Sequence, residues 1–265
     1  MIKISTWNVN SINARLENLL KYLHEEKPDI LLLQELKCNN DKFPYQDLED
    51  LGYNIAVNGQ KTYNGVAILS KYQLSDVAYN FPNNPIPDEA RYIEAWVNFK
   101  NESIKVASVY VPNGQSLDSD KYPIKLEFLK QLENYYHQLL LSSEKIVIGG
   151  DFNVALTELD IFDPVGLEET ILFSTKERRA LRQFIATGLV DSYRMINHQE
   201  KDNCYTWWDY RANSFNLNKG IRIDYLFCSL EMAQIASTSF TSKQCRANFK
   251  PSDHIPVTGV FNLTI

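Results

Sequence analysis

Short apolar runs that stop abruptly at polar residues recur along this chain, with amphipathic segments of longer period between them. Residues 2–7 alternate apolar and polar side chains, the pattern of a strand, and end at Asn8-Val9-Asn10. Ile12, Leu16, Leu19, Leu20 and Leu23 then recur at intervals of three and four, which predicts a helix closed by Pro28. Ile30-Leu31-Leu32-Leu33 is short enough for a buried strand and ends in Gln34-Glu35. A loop and a short helix follow, then strand-like pieces at 53–57 and 66–70. Residues 91–99 and 103–111 form two β-rich runs around Lys100-Asn101, a hairpin pattern, and the second run ends in Tyr110-Val111-Pro112-Asn113-Gly114. Residues 122–141 carry the clearest helical stripe, through Ile124, Phe128, Leu132, Tyr135 and Leu139.

That helix leads into Lys145-Ile146-Val147-Ile148-Gly149-Gly150-Asp151-Phe152-Asn153. The β-branched triplet reads as a strand buried on both faces that delivers Asp151 to a surface cleft. Alternation puts Asp151 and Asn153 on one side and Phe152 toward the core. Gly149 and Gly150 lack a Cβ, so another backbone or a ligand can come close to them. Taken alone, the stretch fits a simple strand and Asp/Asn turn equally well. Beyond it, 154–174 has no clean period and reads as a long ordered loop with short helical turns. Residues 175–187 read as a helix stopped by Gly188, 204–210 as an aromatic strand, 221–228 as a strand, and 257–263 as the last strand. Interspersed helices and antiparallel hairpins favour an α+β fold, two packed sheets with helices outside, over a doubly wound parallel sheet. Without a linker or repeat, residues 1–265 are assigned to one domain.

Composition narrows the function classes. The formal charge of −6 argues against a protein that holds nucleic acid by overall charge, although basic residues cluster locally at 176–182, 211–222 and 243–250. No apolar run is long enough for a membrane span, and the N-terminal stretch has no signal-like apolar region, so a cytoplasmic protein is expected. Cys38, Cys204, Cys228 and Cys245 are scattered without a C-x-x-C and are expected to be reduced thiols.

Six strand ends carry candidate chemistry: Asn8 with Asn10, Glu35, Tyr110 with Asn113, Asp151 with Asn153, Asp224, and Asp253 with His254. Each alone reads as an ordinary loop residue. Together they contain what a metal-assisted phosphoester hydrolase requires: hard oxygen ligands, a carboxylate near water, amide donors and a histidine. The motifs TWNVNSI, LLLQELK, VYVPNG, GGDFN, YTWWDYR, GIRIDY and KPSDHIPV occur in this order. They resemble the exonuclease III family of apurinic/apyrimidinic endonucleases, within the endonuclease/exonuclease/phosphatase superfamily.

The resemblance implies a four-layer α/β/β/α sandwich with the site where strand ends meet. It assigns Glu35 as the metal-binding glutamate, with Asn10 where some relatives place an aspartate and Asp253 as a further metal or phosphate group. Asn8 and Asn153 match residues that hold the phosphate and the attacking water. Asp151 matches the general base, Asp224 the carboxylate that orients His254, and Tyr110 the phenol near the scissile phosphate. Mg²⁺, or Mn²⁺ in its place, is the implied cofactor. Trp207, Ile221 and Ile223 match a pocket for a base-free sugar, and Lys37, Asn113, Arg91 and Arg211 are secondary candidates for phosphate contacts. Arg91 and Arg211 fit surface salt bridges equally well. The implied function is hydrolysis of DNA 5′ to abasic sites, with 3′→5′ exonuclease and 3′-end-trimming activity, by a monomer acting on duplex DNA with abasic sites or damaged 3′ ends. In a bacterium the action is expected at the nucleoid. Two alternatives remain: a superfamily phosphatase or sphingomyelinase acting on a phospholipid or inositol phosphate, and a non-catalytic nucleic-acid-binding protein.

Overall fold

The computed structural model describes residues 1–99, 102–142, 144–200 and 204–263. The first half of the chain supplies β1 (Ile2–Asn8), α1 (Leu16–Glu26), β2 (Ile30–Gln34), α2 (Tyr45–Glu49), β3 (Asn54–Asn58), β4 (Val66–Ser70), β5 (Leu74–Ala78), β6 (Tyr92–Phe99) and β7 (Glu102–Tyr110). After them come α3 (Lys121–Leu140), β8 (Ile146–Asp151), α4 (Thr175–Ile185), β9 (Leu189–Asp191) and α5 (Ser192–Ile196). The chain closes with β10 (Asp224–Ser229), α6 (Leu230–Ala233), β11 (Ala236–Thr241) and β12 (Val257–Phe261). Two six-stranded sheets result, in the orders β11-β12-β1-β2-β4-β3 and β5-β6-β7-β8-β10-β9. Only β1 with β2 and β7 with β8 pair in parallel; the other pairings described are antiparallel.

Alternation along the strands builds three apolar layers. Ile30 and Leu32 on β2, Val147 on β8 and Leu226 on β10 meet in one cluster between the sheets. Their neighbours Leu31 and Leu33 face outward, where they pack with Leu19, Tyr22 and Leu23 of α1. Ile146, Ile148 and Phe227 face outward from the second sheet and pack against Phe128, Leu132 and Tyr136 of α3 and Leu181 and Phe184 of α4. The architecture is therefore the expected four-layer α/β/β/α sandwich. Among the described residues no helix is long and apolar enough to cross a membrane. All four cysteines are buried as thiols.

Three sequence expectations change in detail. Residues 204–210 form no strand; Trp207 exchanges its amide and carbonyl with Ile221, while Trp208 N–H to the Asp253 carbonyl and Ile255 N–H to the Thr206 carbonyl bridge it to His254, and neither pairing continues as a ladder. The strand expected at 221–228 begins only at Asp224, since Arg222 N–H is spent on the Asp160 carbonyl and Ile223 N–H on Thr206 Oγ1. The buried stripe of α3 runs through Tyr122, Lys125, Phe128, Leu129, Leu132 and Tyr136, so it takes in a lysine and leaves Tyr135 and Leu139 partly buried against the same cluster. The hairpin pairing of β6 with β7 is present, while its turn at Lys100-Asn101 lies outside the described residues. β5, β9 and β11 were not foreseen; β11 is the polar sequence ASTSFT and β9 has three residues, so neither shows a usable period.

The glycines after Ile148 have separate reasons. A Cβ on Gly149 would lie 2.7 Å from both Leu32 Cδ1 and Thr6 Cβ of the facing sheet, and one on Gly150 would lie 2.0 Å from the Val109 carbonyl oxygen. Gly149 thus sets how closely the sheets approach near the site. Gly149→Ala is expected to lower the unfolding free energy by about 1–3 kcal/mol through overpacking. A fall in the urea midpoint at unchanged m-value is the expected reading.

Candidate active site

The parallel pairings bring strand ends to a common edge. Asn8 lies opposite Gln34 at the ends of β1 and β2, so Glu35 follows immediately beside it. Tyr110 lies opposite Asp151 at the ends of β7 and β8, and Asp224, first residue of antiparallel β10, lies opposite Asp151 on its other side. β12 runs antiparallel to β1, with Val257 opposite Thr6, which carries the preceding Asp253 and His254 to the same edge. Glu35, Asp151 and His254 offer atoms that all lie within 4.8 Å of one another.

The Asn8 amide links the two sheets at this edge. Asn8 Nδ2 donates to Glu35 Oε1 at 2.9 Å and to Asp151 Oδ2 at 3.0 Å, while Asn8 Oδ1 accepts from Asn10 N–H at 3.0 Å. Asp151 Oδ1 accepts from Asn153 N–H at 2.9 Å. Asp151 is therefore held at both oxygens. Burial, followed by the nearby Asp224 and Glu35 charges, raises its carboxyl from the ordinary 3.8 to about 7, against an opposing pull from His254.

His254 stands between two carboxylates. Its Nδ1 lies 2.8 Å from Asp224 Oδ2 and its Nε2 3.8 Å from Asp151 Oδ2. Burial opposes the imidazolium, but Asp224 and Asp151 outweigh it and raise the ring from 6.5 to about 10. The main chain around it is fixed: Trp7 Nε1 donates to the His254 carbonyl, and Ser252 Oγ accepts from His254 N–H while donating to the Asn8 carbonyl. Ser252 sits inside the quoted KPSDHIPV motif, yet sequence reasoning gave it no part.

The remaining carboxylates are better compensated. Burial pushes Glu35 upward, but Lys37 at 2.7 Å from Oε2, the Asn8 amide and His254 hold it below its usual range. Lys37 Nζ also donates to Asn10 Oδ1 at 2.6 Å. Asp253 is likewise pushed up by burial and held down by His254, by Asn10 Nδ2 at 2.8 Å and by Trp207 Nε1 at 3.0 Å. Glu35 Oε2 and Asn10 Oδ1 meet at Lys37 Nζ, and Asp253 Oδ1 adjoins them through Asn10 Nδ2. Such hard oxygen donors fit a divalent cation of the Mg²⁺ or Mn²⁺ kind. His254 Nδ1 is committed to Asp224, which leaves Nε2 facing Asp151.

Asn10, Glu35, Lys37 and Asn153 all take left-handed backbone conformations, with φ of 46°, 51°, 53° and 52°. Asparagine enters this region at small cost, whereas Glu35 and Lys37 are less usual there. Asn113 Nδ2 donates to Asn153 Oδ1, and Asn153 Nδ2 to the Val111 carbonyl, both at 3.0 Å. The Arg91 guanidinium lies 4.6 Å from the Tyr110 ring centroid and is paired with Glu89. Burial raises the Tyr110 phenol well above its ordinary value, and Glu35 and Asp151 add to it, so the group keeps its proton. A cleft of about 500 Å³ beside the cluster is lined by Glu35, Lys37, Arg91, Tyr110, Asn113 and Gln115, among others.

Trp207 packs against Ile221 and Ile223 in an apolar cluster completed by Ala155, Ile161, Leu172 and Phe173. The last four come from the segment that sequence reading left without periodicity. Arg211 does not converge on the site: its side chain is 88% exposed and is held by Asp209 at 2.8 Å. Sequence reasoning also missed Thr206, whose Oγ1 accepts from Ile223 and Asp224 N–H and fixes the start of β10.

Known proteins are similar to this chain over almost its whole length. Residues 5–254 match the model of the endonuclease/exonuclease/phosphatase family. Exodeoxyribonuclease III of Haemophilus influenzae is 32% identical over 98% of this chain and 100% of its own length. The exodeoxyribonuclease of Bacillus subtilis is 32% identical over 99% and 100%. Among solved structures, a 3′ phosphatase from Neisseria bound to a product DNA hairpin superposes with a TM-score of 0.94 at 38% identity, covering 99% of this chain and 100% of that one. An AP endonuclease from Archaeoglobus fulgidus gives a TM-score of 0.94 at 36% identity, with the same coverage. With the fold, the chain-long identity and the family match in agreement, the chain belongs to the endonuclease/exonuclease/phosphatase family.

Proposed function

We propose that this protein is a DNA-repair phosphodiesterase that hydrolyses the backbone 5′ to abasic sites and trims damaged 3′ ends with Mg²⁺ or Mn²⁺, acting as a single-domain cytoplasmic monomer on duplex DNA. The observation that carries the reading is Asp151, buried, raised to about 7 and held by Asn8 beside Glu35 and His254. A carboxylate of that proton affinity suits a general base near neutral pH. The nuclease and 3′-phosphatase names of the relatives point to the same chemistry.

In this reading water attacks phosphorus in line with the departing 3′ oxygen, and its proton passes to Asp151. Asn153 and Asn8 orient the water and the phosphate. The His254 imidazolium, aligned by Asp224, stabilises charge on a non-bridging oxygen, and the protonated Tyr110 phenol faces the phosphate or leaving oxygen. Glu35, with Asn10 and Asp253, would hold the cation, which supplies positive charge to the phosphate oxygens. Trp207, Ile221 and Ile223 would receive a bare deoxyribose, which leaves the duplex at lower cost than a paired nucleotide. Lys37, Arg91 and Asn113 border the cleft and would contact backbone phosphates.

The deciding assay incubates the protein with end-labelled duplexes, intact or carrying one abasic analogue, with Mg²⁺ or Mn²⁺ and with EDTA. Incision at the abasic site or loss from 3′ ends, abolished by EDTA, is expected. Hydrolysis of phospholipid or inositol phosphate in place of DNA would overturn the reading, as would binding without cleavage. Asp151→Asn is expected to lower kcat by about 10² to 10⁴ while duplex binding persists; near-normal cleavage would remove Asp151 as base.

The pH profile follows from the two shifted groups. Activity should rise as pH passes about 7 and Asp151 loses its proton, then fall near about 10 as His254 loses its own. Because positive charge beside a carboxylate favours its ionised form, a bound divalent cation moves the acid limb to lower pH. A rate flat across both limbs, at several metal concentrations, would contradict this assignment. For the pocket, Trp207→Gly should reduce the preference for abasic over intact duplex, measured as a ratio of kcat/KM values. An unchanged ratio would dismiss the pocket.

A further inference from the structure

Lys125 is a wholly buried lysine on the inward face of α3, with Glu177 of α4 as its equally buried counter-ion. An ammonium has three N–H donors and no acceptor. Here each finds an oxygen: the Asn153 carbonyl at 2.6 Å, the Asn113 carbonyl at 3.0 Å and Glu177 Oε1. Two of the three partners are thus the main chain of asparagines whose side chains bond each other at the site edge. The lysine stem also underlies the turn after Asn113. Gly114 has φ of +88°, and a Cβ there would come within 3.2 Å of Lys125 Cδ.

The ammonium is itself immobilised. Glu177 accepts from Leu172 N–H at 3.2 Å and from Ser174 N–H and Oγ at 3.0 and 2.6 Å, closing the capping box at the start of α4. Tyr122, one turn before Lys125, shares a 2.6 Å hydrogen bond with Ser174 Oγ. The first turns of α3 and α4 are therefore locked together, and the lysine transmits their position to two loops from different strands. Asn153 needs such an anchor because its backbone is left-handed and its N–H holds Asp151 Oδ1.

We propose that Lys125 is a positioning residue for the reaction, fixing the Asn113 and Asn153 carbonyls so that both side-chain amides and the Asp151 carboxylate keep their reactive orientation. The inference rests on the phosphodiesterase reading for its kinetic test. An apolar residue at 125 would take the donor from the Asn113 carbonyl and from the buried Asn153 carbonyl, and leave Glu177 as an unpaired buried charge. The double variant Lys125→Met with Glu177→Gln avoids the unpaired charge, and glutamine still serves the capping box.

Kinetics are measured on the abasic duplex for that double variant in the natural background and in an Asn153→Ala background, with circular dichroism to verify folding. If Lys125 acts through Asn153, the double variant lowers kcat by about 10² in the natural background, with KM changed by less than about 3-fold. In the Asn153→Ala background the further loss is less than about 3-fold. Equal losses in both backgrounds would show a general structural role and overturn the proposal, as would no loss in the natural background. Side-chain amide NMR gives an arm free of turnover: the Asn113 and Asn153 Nδ2–H resonances should shift and lose exchange protection in the double variant. Unchanged amide signals would overturn the proposal, whereas an inactive natural enzyme with shifted signals would overturn only the phosphodiesterase reading.

Discussion

Repulsion among carboxylates is the constraint on which the site is built. Glu35 and Asp151 reach within 4.8 Å of each other, and Asp224 and Asp253 approach through His254 and Asn10. Two like unit charges at that distance repel by about 3 kcal/mol at an effective dielectric constant of 20, a large share of a domain's net stability. The chain offsets this unevenly. Lys37 and Asn8 compensate Glu35; Asn10, Trp207 and His254 compensate Asp253; the Asp151 neighbourhood leaves burial and like charge ahead of His254. The uneven treatment raises the proton affinity of one carboxyl while its neighbours stay anionic.

Sheet topology makes the crowding possible. Two parallel pairs, one per sheet, send Asn8, Gln34, Tyr110 and Asp151 out at one edge in register. Antiparallel neighbours then return to that edge with Asp224 and His254. Gly149 lets the facing sheets close to the distance at which Asn8 of one can bond Asp151 of the other. The separation of Glu35 from Asp151 at this edge therefore follows the spacing of the two sheets.

The fold and the cluster members were legible for different reasons. Apolar runs such as 30–33 and 146–148 announce strands because both faces are buried, and the polar residue that ends each run marks the edge. Ser252, Thr206 and Lys125 were not legible, since each acts on main-chain groups whose positions exist only after folding. Arg211, by contrast, sits amid aromatic residues that suggest a binding surface, yet its neighbour Asp209 two positions away claims it. Local charge pairing is invisible to motif order.

The apolar cluster and the histidine dyad are mechanically one unit. Along Ile221-Arg222-Ile223-Asp224, both isoleucines enter the Trp207 cluster while Arg222 turns inward to Asp160 and Asp191, each at 2.7 Å. Arg194 brings a second guanidinium to Asp160 Oδ1, through Nη2 at 2.6 Å and Nε at 3.2 Å. Removing one member would strand a buried charge, so the network resists piecemeal rearrangement. The network clamps the loop carrying Ile161 and Asp160 to the chain leading into β10. Asp224 is the next residue, and it sets the His254 ring. The isoleucine pair and the carboxylate at His254 Nδ1 are thus consecutive along one short stretch of chain that this network clamps.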